Sequence, residues 1–223
     1  VPRLQSRTGP RAARKRGASP ISAPIPMLTS RPARRSDAAD LARFIDLASE
    51  GLTSHVWAGM AAPGEDVLAF GADRAARDEG AFSWRNATMV EIGGAVAGGL
   101  LAYQIAETPE PLDELPPMFR PLQALENQAL GSRYVLALAT DPAFRRRGVA
   151  RHLLGQAERT AEMAPAMSLI VADGNLPARR LYESLGYREI ASAAIVKGDW
   201  RCDSAQWLLL TKPRAGSKPR SEP

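Results

Sequence analysis

Two stretches of this chain combine residue types that chemistry can use. The first, Asp141-Pro142-Ala143-Phe144-Arg145-Arg146-Arg147-Gly148-Val149-Ala150-Arg151, sets consecutive arginines and a glycine between an apolar run and a helical pattern. A helix N-terminus presents unpaired N–H groups and a positive dipole end, glycine lets a ligand approach the backbone, and arginines add charge. The ligand such a segment suits is a pyrophosphate. The plainer alternative is a helix that starts with exposed arginines beside a tight turn, and the segment alone leaves both open. It has neither the Gly-x-x-x-x-Gly-Lys pattern of a Walker loop nor the Gly-x-Gly-x-x-Gly of a dinucleotide turn. The second stretch runs from Asn175 to Tyr187 and opens on a helix-capping residue, with Ala178, Leu181, Tyr182 and Leu185 on one helical face. A tyrosine on such a stripe is ordinarily core.

Metal and disulfide chemistry have little to work with. Cys202 is the one cysteine, and Cys202, His55 and His152 are too far apart in sequence to show a metal-ligand spacing. We expect no metal site and a structural role for Cys202.

The elements that must position the two stretches can be read from periodicity. Residues 27–34 are extended, and Ser36-Asp37 offers an N-cap to a helix whose face carries Leu41, Phe44, Ile45 and Ala48. A second helix is predicted over 65–79. Residues 87–106 form strands about Gly93-Gly94, the kind of pair that makes a two-residue hairpin turn. Residues 107–131 hold five prolines and a short helical piece at 122–130, an insertion that serves either as a lid or substrate wall or as a plain surface loop. Residues 134–140 read as a central strand with Tyr134, Leu136 and Leu138 on one face and Val135, Ala137 and Ala139 on the other. A helix over 146–163 and an apolar strand over 167–171 follow, which makes a right-handed crossover between parallel strands. After the Asn175 helix, two strands over 187–196 and 205–211 close the domain, with Lys197-Gly198-Asp199 at the turn region.

Of the 223 residues, 29 are Lys or Arg and 24 Asp or Glu, a formal net charge of +5. Residues 1–26 hold Arg3, Arg7, Arg11, Arg14, Lys15 and Arg16 and no acid, and Lys212, Arg214, Lys218 and Arg220 follow Thr211. Residues 27–211 therefore keep 19 bases against 23 acids, and the basic character belongs to the ends. We expect a single folded domain over 27–211 between a disordered basic arm (1–26) and a disordered tail (212–223). The arm reads as an upstream extension before a start at Met27, in preference to an organelle-targeting peptide or a nucleic-acid contact. No hydrophobic secretory core follows the arginines, and the longest weakly polar run, 92–103, is far short of the roughly 20 residues of a membrane-spanning helix. Both point to a cytoplasmic protein without a membrane partner. With no aromatics interleaved among its arginines, the arm supports at most weak, salt-sensitive contact with nucleic acid.

Arg145-x-x-Gly148-x-Ala150, after a strand ending in Thr140-Asp141-Pro142, resembles the acetyl-CoA signature of the GNAT N-acetyltransferase superfamily, Gln/Arg-x-x-Gly-x-Gly/Ala. Asn175-Leu176-Pro177-Ala178-Arg179-Arg180-Leu181-Tyr182-Glu183-Ser184-Leu185-Gly186-Tyr187 resembles the family's second conserved segment more closely still, and the element order over 27–211 is similar to the family's. The resemblance implies an α/β (α+β) fold with a mixed, mostly antiparallel sheet, one parallel crossover and flanking helices. It also implies acetyl-CoA as co-substrate and an amine acceptor, a small molecule or a protein lysine or N-terminus.

Carried over residue by residue, the resemblance implies that backbone groups of Leu138, Ala139 and Thr140 pair with the pantetheine arm. Arg145 aligns with the start of the signature, and amides of Arg146, Arg147, Gly148, Val149, Ala150 and Arg151 would hold the pyrophosphate. Asn175 would contact the cofactor near its thiol arm, and Tyr182 would sit beside the sulfur as the acid that protonates the departing thiolate.

Some relatives place a glutamate on the strand after the first crossover, but Met167-Ser168-Leu169-Ile170-Val171 carries no carboxylate. The base is left open among Glu91, Glu107, Glu126, Asp141 and water. His55 borders the side where the family takes its acceptor, and His152 reads as exposed or structural. Residues 37–80 and 107–131 should wall the acceptor site with Trp57, Met60, Trp84, Met118 and Phe119 beside Glu65, Asp66, Asp113 and Glu114. A non-catalytic acyl-CoA sensor is the alternative to an enzyme, and monomer and homodimer are both open.

Overall fold

The structure, a computed structural model, describes residues 27–161 and 164–214; the basic arm and residues 215–223 of the expected tail lie outside the described residues. Among the described residues seven strands form one sheet: β1 (Leu28–Pro32), β2 (Ala87–Ile92), β3 (Ala95–Gln104), β4 (Arg133–Thr140), β5 (Ala166–Ala172), β6 (Arg188–Ala194) and β7 (Gln206–Pro213). Their spatial order is β1-β2-β3-β4-β5-β7-β6, and β4–β5 is the parallel pair, every other pairing being antiparallel. The fold is thus the mixed, mostly antiparallel α/β architecture with one crossover that the resemblance implied. β7 inserts between β5 and β6, and it runs to Pro213, two residues past the predicted boundary.

Six α-helices of the described residues cover the sheet: α1 (Ala38–Ala48), α2 (Leu52–Ala58), α3 (Val67–Ala75), α4 (Arg120–Glu126), α5 (Val149–Thr160) and α6 (Leu176–Ser184). α5 and α6 bury Val149, Leu153, Leu154 and Tyr182 against Leu169, Val171, Leu208 and Leu210. On the opposite face α1 and α3 pack Leu41, Phe44, Ile45 and Ala75 on Met89, Leu101 and Ala139, while α4 packs Leu125 on Trp207 and Leu209. Alternation along β7 divides Leu208 and Leu210 from Trp207 and Leu209, as a strand buried on both faces requires. No helix among the described residues is long and apolar enough to cross a membrane.

Local chemistry explains most element boundaries. Gly93 (φ 60°) and Gly94 (φ 83°) both adopt the left-handed conformation of a type I′ hairpin turn. Asp66 caps α3 by accepting from Ala69 N, and Asn175 caps α6 by accepting from Ala178 N. Asp37 is the residue before α1, but its carboxylate makes no cap to that helix. It accepts instead from the Arg31 guanidinium at 2.7 and 3.0 Å and from Arg34 N at 2.6 Å, fastening β1 to the turn that leads into α1. The predicted 65–79 helix is shorter, and α2 was not anticipated; its polar Thr53, Ser54 and His55 dilute the helical period.

The central strand departs from simple alternation. Leu101 pairs with Ala137 but Ala102 with Val135, so Leu136 is an extra residue, a β-bulge in β4. The bulge resets the faces: Val135 lies with the α5 side, whereas Ala137 and Ala139 lie with the α1 side. β4 pairs with β5 only from Arg133↔Met167 to Val135↔Leu169, and that pairing stops where the bulge begins. A bulge bends its strand and raises the local twist, which accounts for the two strands parting there.

Candidate active site

The parting strands open a cleft of about 570 Å³ between the C-terminal halves of β4 and β5. Its walls are Leu136, Leu138 and Thr140 of β4, Ile170, Val171 and Ala172 of β5, Ala150 of α5, and Asn175, Ala178, Leu181 and Tyr182 around α6. Arg145 and Arg146 also line it, and Trp207 of β7 is part of its wall.

The backbone of β4 faces this cleft in alternation. Asp141 N donates to Ala97 O, so Asp141 and the residues two apart from it turn their polar groups toward β3. Leu138 and Thr140 consequently turn theirs to the side that β5 has vacated. Ala139, included in the sequence reading with its neighbours, spends its backbone on β3 and is buried against the α1 side.

At one end of the cleft lies the arginine-glycine segment. Pro142–Phe144 forms a single 3-10 turn capped by Asp141, which accepts from Ala143 N. The other oxygen of Asp141 accepts from Arg43 Nη1 of α1 at 2.6 Å, and that guanidinium holds the carboxyl below its ordinary range. Arg146 has φ 64° and Gly148 φ 81°, so the chain curls through two left-handed residues before α5 begins. The predicted helix start at Arg146 therefore moves to Val149. Arg146 and Arg147 belong to the loop, because a left-handed residue cannot continue a right-handed helix.

Among the described residues no side chain caps α5, and the first N–H to bond back is that of His152, onto Gly148 O. The amides of Val149, Ala150 and Arg151 are thus the unsatisfied donors of the first turn. A Cβ placed on Gly148 would meet nothing within 4 Å, so space for a bulky anion remains over this turn. The arginines do different things. Arg147 lies over the Phe144 ring with its Cζ 5.5 Å from the centroid, and Arg151 donates to Ser184 Oγ at 2.9 Å, tying α5 to α6. Val149 is buried in the core beneath β3, where Gly98 admits it: a Cβ on Gly98 would lie 2.7 Å from Val149 Cγ1.

At the other end is Tyr182, 8% exposed, with burial pushing its phenol up to about 12. It packs against Tyr187 with ring centroids 5.8 Å apart. Asn175 lines the cleft while its Oδ1 serves the α6 cap.

A second cavity, about 320 Å³, shares Ala48, Ser49, Leu136, Ala137, Ile170 and Trp207 with the first. Its remaining wall comes from α1, α2, Ala81-Phe82 and the insertion, with Leu115, Phe119, Leu122, Gln123 and Glu126. Of the four carboxylates left open as bases, only Glu126 faces a cavity beside the cleft. Glu91 is paired with Arg31 at 2.6 Å, Asp141 is held by Arg43, and Glu107 packs against Gly131. Burial raises the Glu126 carboxyl, and the hydrogen bond it accepts from Tyr103 offsets that only in part.

Several expected wall residues are elsewhere. Trp57 is buried against Gly71 and Phe82, Met60 points to solvent, Trp84 lies under Arg85, and Glu65 and Asp66 cap local turns. Of that set Phe119 alone lines the second cavity, and Phe82, Tyr134 and Trp207 were not anticipated; each sat in a pattern that reads as ordinary core or loop. His55 pairs with Asp199, 3.1 Å away, and lines neither cavity; His152 has its Nε2 buried without a partner. Among the described residues no group of His, Cys, Asp and Glu is arranged to hold a metal.

The sequence of residues 63–187 matches the model of the acetyltransferase (GNAT) family, and the chain belongs to that family. No curated protein matches in sequence. Among solved structures, an N-acetyltransferase from Staphylococcus aureus Mu50 superimposes with a TM-score of 0.58 at 21% identity, over 82% of this chain and 100% of that one. The ribosomal-protein-S18-alanine N-acetyltransferase of Escherichia coli gives 0.51 at 16%, over 84% and 94%. Chaetomium thermophilum Naa20, solved with a bisubstrate analogue, gives 0.53 at 19%, over 84% and 87%. These likenesses are of fold, and the family assignment with the cleft makes this an acetyl-CoA-dependent acetyltransferase in the general sense.

Proposed function

We propose that the protein transfers an acetyl group from acetyl-CoA to an amine by direct attack within the cleft between β4 and β5. The observation that carries this reading is the end of β4–β5 pairing at Val135↔Leu169, which leaves a cleft running from the Arg145-Arg146 turn to Tyr182. An extended amide-bearing arm lying there would complete the ladder through the outward backbone groups of Leu138 and Thr140. The pyrophosphate would rest on the free amides of Val149, Ala150 and Arg151 beneath Gly148, with Arg145 and Arg146 supplying charge.

The chemistry follows from that placement. A neutral amine nitrogen attacks the thioester carbonyl, the outward N–H groups of β4 stabilise the developing oxyanion, and the carbon–sulfur bond breaks. Tyr182 supplies the proton that the departing thiolate takes. Its phenol stays protonated across the working pH range because burial holds it near 12, so it is a donor throughout. No covalent enzyme intermediate is needed, and Cys202, outside both cavities, has no role in transfer.

Calorimetric titration with acetyl-CoA followed by thiol release on an amine and peptide panel tests the reading. Saturable binding with thiol release from one amine class supports it; binding without release from any acceptor points to the sensor, and absence of binding removes the cleft assignment.

A further inference from the structure

Resting on the acetyl-transfer reading, we propose that the second cavity is the acceptor site, that it takes a primary monoamine with an apolar body, and that Glu126 removes the ammonium proton. The first argument is charge. Around the chamber, Leu52, Phe82, Leu115, Phe119, Leu122 and Trp207 are apolar, and among the described residues Glu126 is its one carboxylate. One buried carboxylate neutralises one ammonium. A polyamine would leave further cations against apolar walls, and an amino acid would bring its own carboxylate to a chamber whose lining holds no cation among the described residues.

The second argument is the support behind Glu126. Tyr103 Oη donates to Glu126 Oε2 at 3.1 Å, and Tyr134, which lines the same chamber, meets the Tyr103 ring edge to face at 5.5 Å. Glu126 and Tyr134 line the chamber and Tyr182 the adjoining cleft, so an acceptor for the amine's proton lies in one cavity and a donor for the thiolate in the other. β6 and β7, the other elements packed on α4, present Ala191, Ala193 and Leu209. Glu126 is thus governed by burial and two neutral phenols, and the carboxyl it presents is a stronger base than an exposed glutamate.

The step balances as follows. The ammonium R–NH₃⁺ passes one proton to Glu126, and the freed lone pair forms the new C–N bond. The C–S bond breaks as the tetrahedral intermediate collapses, and the thiolate takes a proton from Tyr182. The second nitrogen proton leaves to restore the phenol, and Glu126 releases its proton to solvent, so amide, thiol and one proton are the products.

The test uses the full chain, acetyl-CoA, and 2-phenylethylamine, spermidine, phenylalanine and peptides with a free N-terminus or lysine, read by thiol release. We expect kcat/KM for 2-phenylethylamine to exceed the others at least tenfold. Glu126→Gln should lower kcat for it by about 10²- to 10⁴-fold with the acetyl-CoA Kd unchanged, and should erase the acidic limb of the pH profile, which a merely structural glutamate would not do. Leu122→Trp, which fills the chamber, should raise KM for the amine and leave acetyl-CoA binding intact. Preference for a peptide or polyamine, or wild-type turnover by Glu126→Gln, overturns the proposal while the acetyl-CoA site stands; loss of acetyl-CoA binding in the wild type overturns both.

Discussion

Gly148 is where backbone strain and ligand binding can be separated. Its φ of 81° is a conformation that costs an L-residue roughly 1–2 kcal/mol, and nothing lies within 4 Å of the position a Cβ would take. Gly148→Ala therefore carries strain but no clash in the free protein. For a chain of this size that strain lowers Tm by about 2–4 °C per kcal/mol, or roughly 2–8 °C. The strain is the same with and without ligand, so it cancels from the binding constant. What remains in Kd is the methyl group standing over the first-turn amides of α5. Displacing the pyrophosphate from one charge-assisted hydrogen bond forfeits about 1.5–3 kcal/mol, which is about 10- to 150-fold in affinity. Thermal unfolding and calorimetric titration with acetyl-CoA on the same preparation read the two quantities. A Tm loss in this range with unchanged affinity, and the same outcome for Gly148→Val, would falsify the placement of the phosphates over this turn.

Tyr182→Phe should lower kcat well beyond any rise in the KM for acetyl-CoA, and steady-state kinetics showing wild-type turnover would reduce the residue to packing. Ser132 Oγ donates to Ala129 O and pairs with Ser168 Oγ, 2.6 Å away, with both residues buried. Ser132→Ala strands the Ser168 hydroxyl and should cost about 1–3 kcal/mol, more than Ser168→Ala, as urea unfolding would read. Asp141 titrates below its ordinary value because of Arg43, then Ala143 N. Its contribution is present above the unfolded pKa and is lost as pH falls through the lowered folded value, so Asp141→Asn should flatten the acid limb of stability. Glu126 has the opposite sign: its folded pKa is raised, so its ionisation weakens the fold as pH climbs through that value. Glu126→Gln should raise Tm at neutral pH while activity falls, and a lowered Tm would show that the tyrosines need the charge.

The parts of the site legible in the sequence are those built by neighbours along the chain. The proposed phosphate cradle of consecutive amides, an arginine pair and a glycine occupies one unbroken segment, Asp141 to Arg151, and its chemistry can be read there. The same holds for the Gly93-Gly94 turn, whose left-handed requirement names its residues, and for the Asn175 cap of α6, whose acceptor is three residues from its donor. Helix periodicity likewise announced that Tyr182 faces inward.

What depended on register or on distant partners was not legible. The bulge at Leu136 exists only relative to β3, because pairing between two strands decides which residue is extra. Without it β4 reads as plain alternation, and the parting from β5 that makes the cleft has no visible cause. The insertion of β7 between β5 and β6 brings Trp207 to the shared wall of both cavities, although β7 is the last strand in the chain. Asp37 forgoes its own helix because Arg31 stands beside it, and Glu126 is singled out from three other carboxylates because those have basic or close-packed neighbours. Local conformational preferences act over a few residues and leave their mark in sequence. The environment of a carboxylate is set by whatever the sheet order brings against it, and that is settled only when the chain has folded.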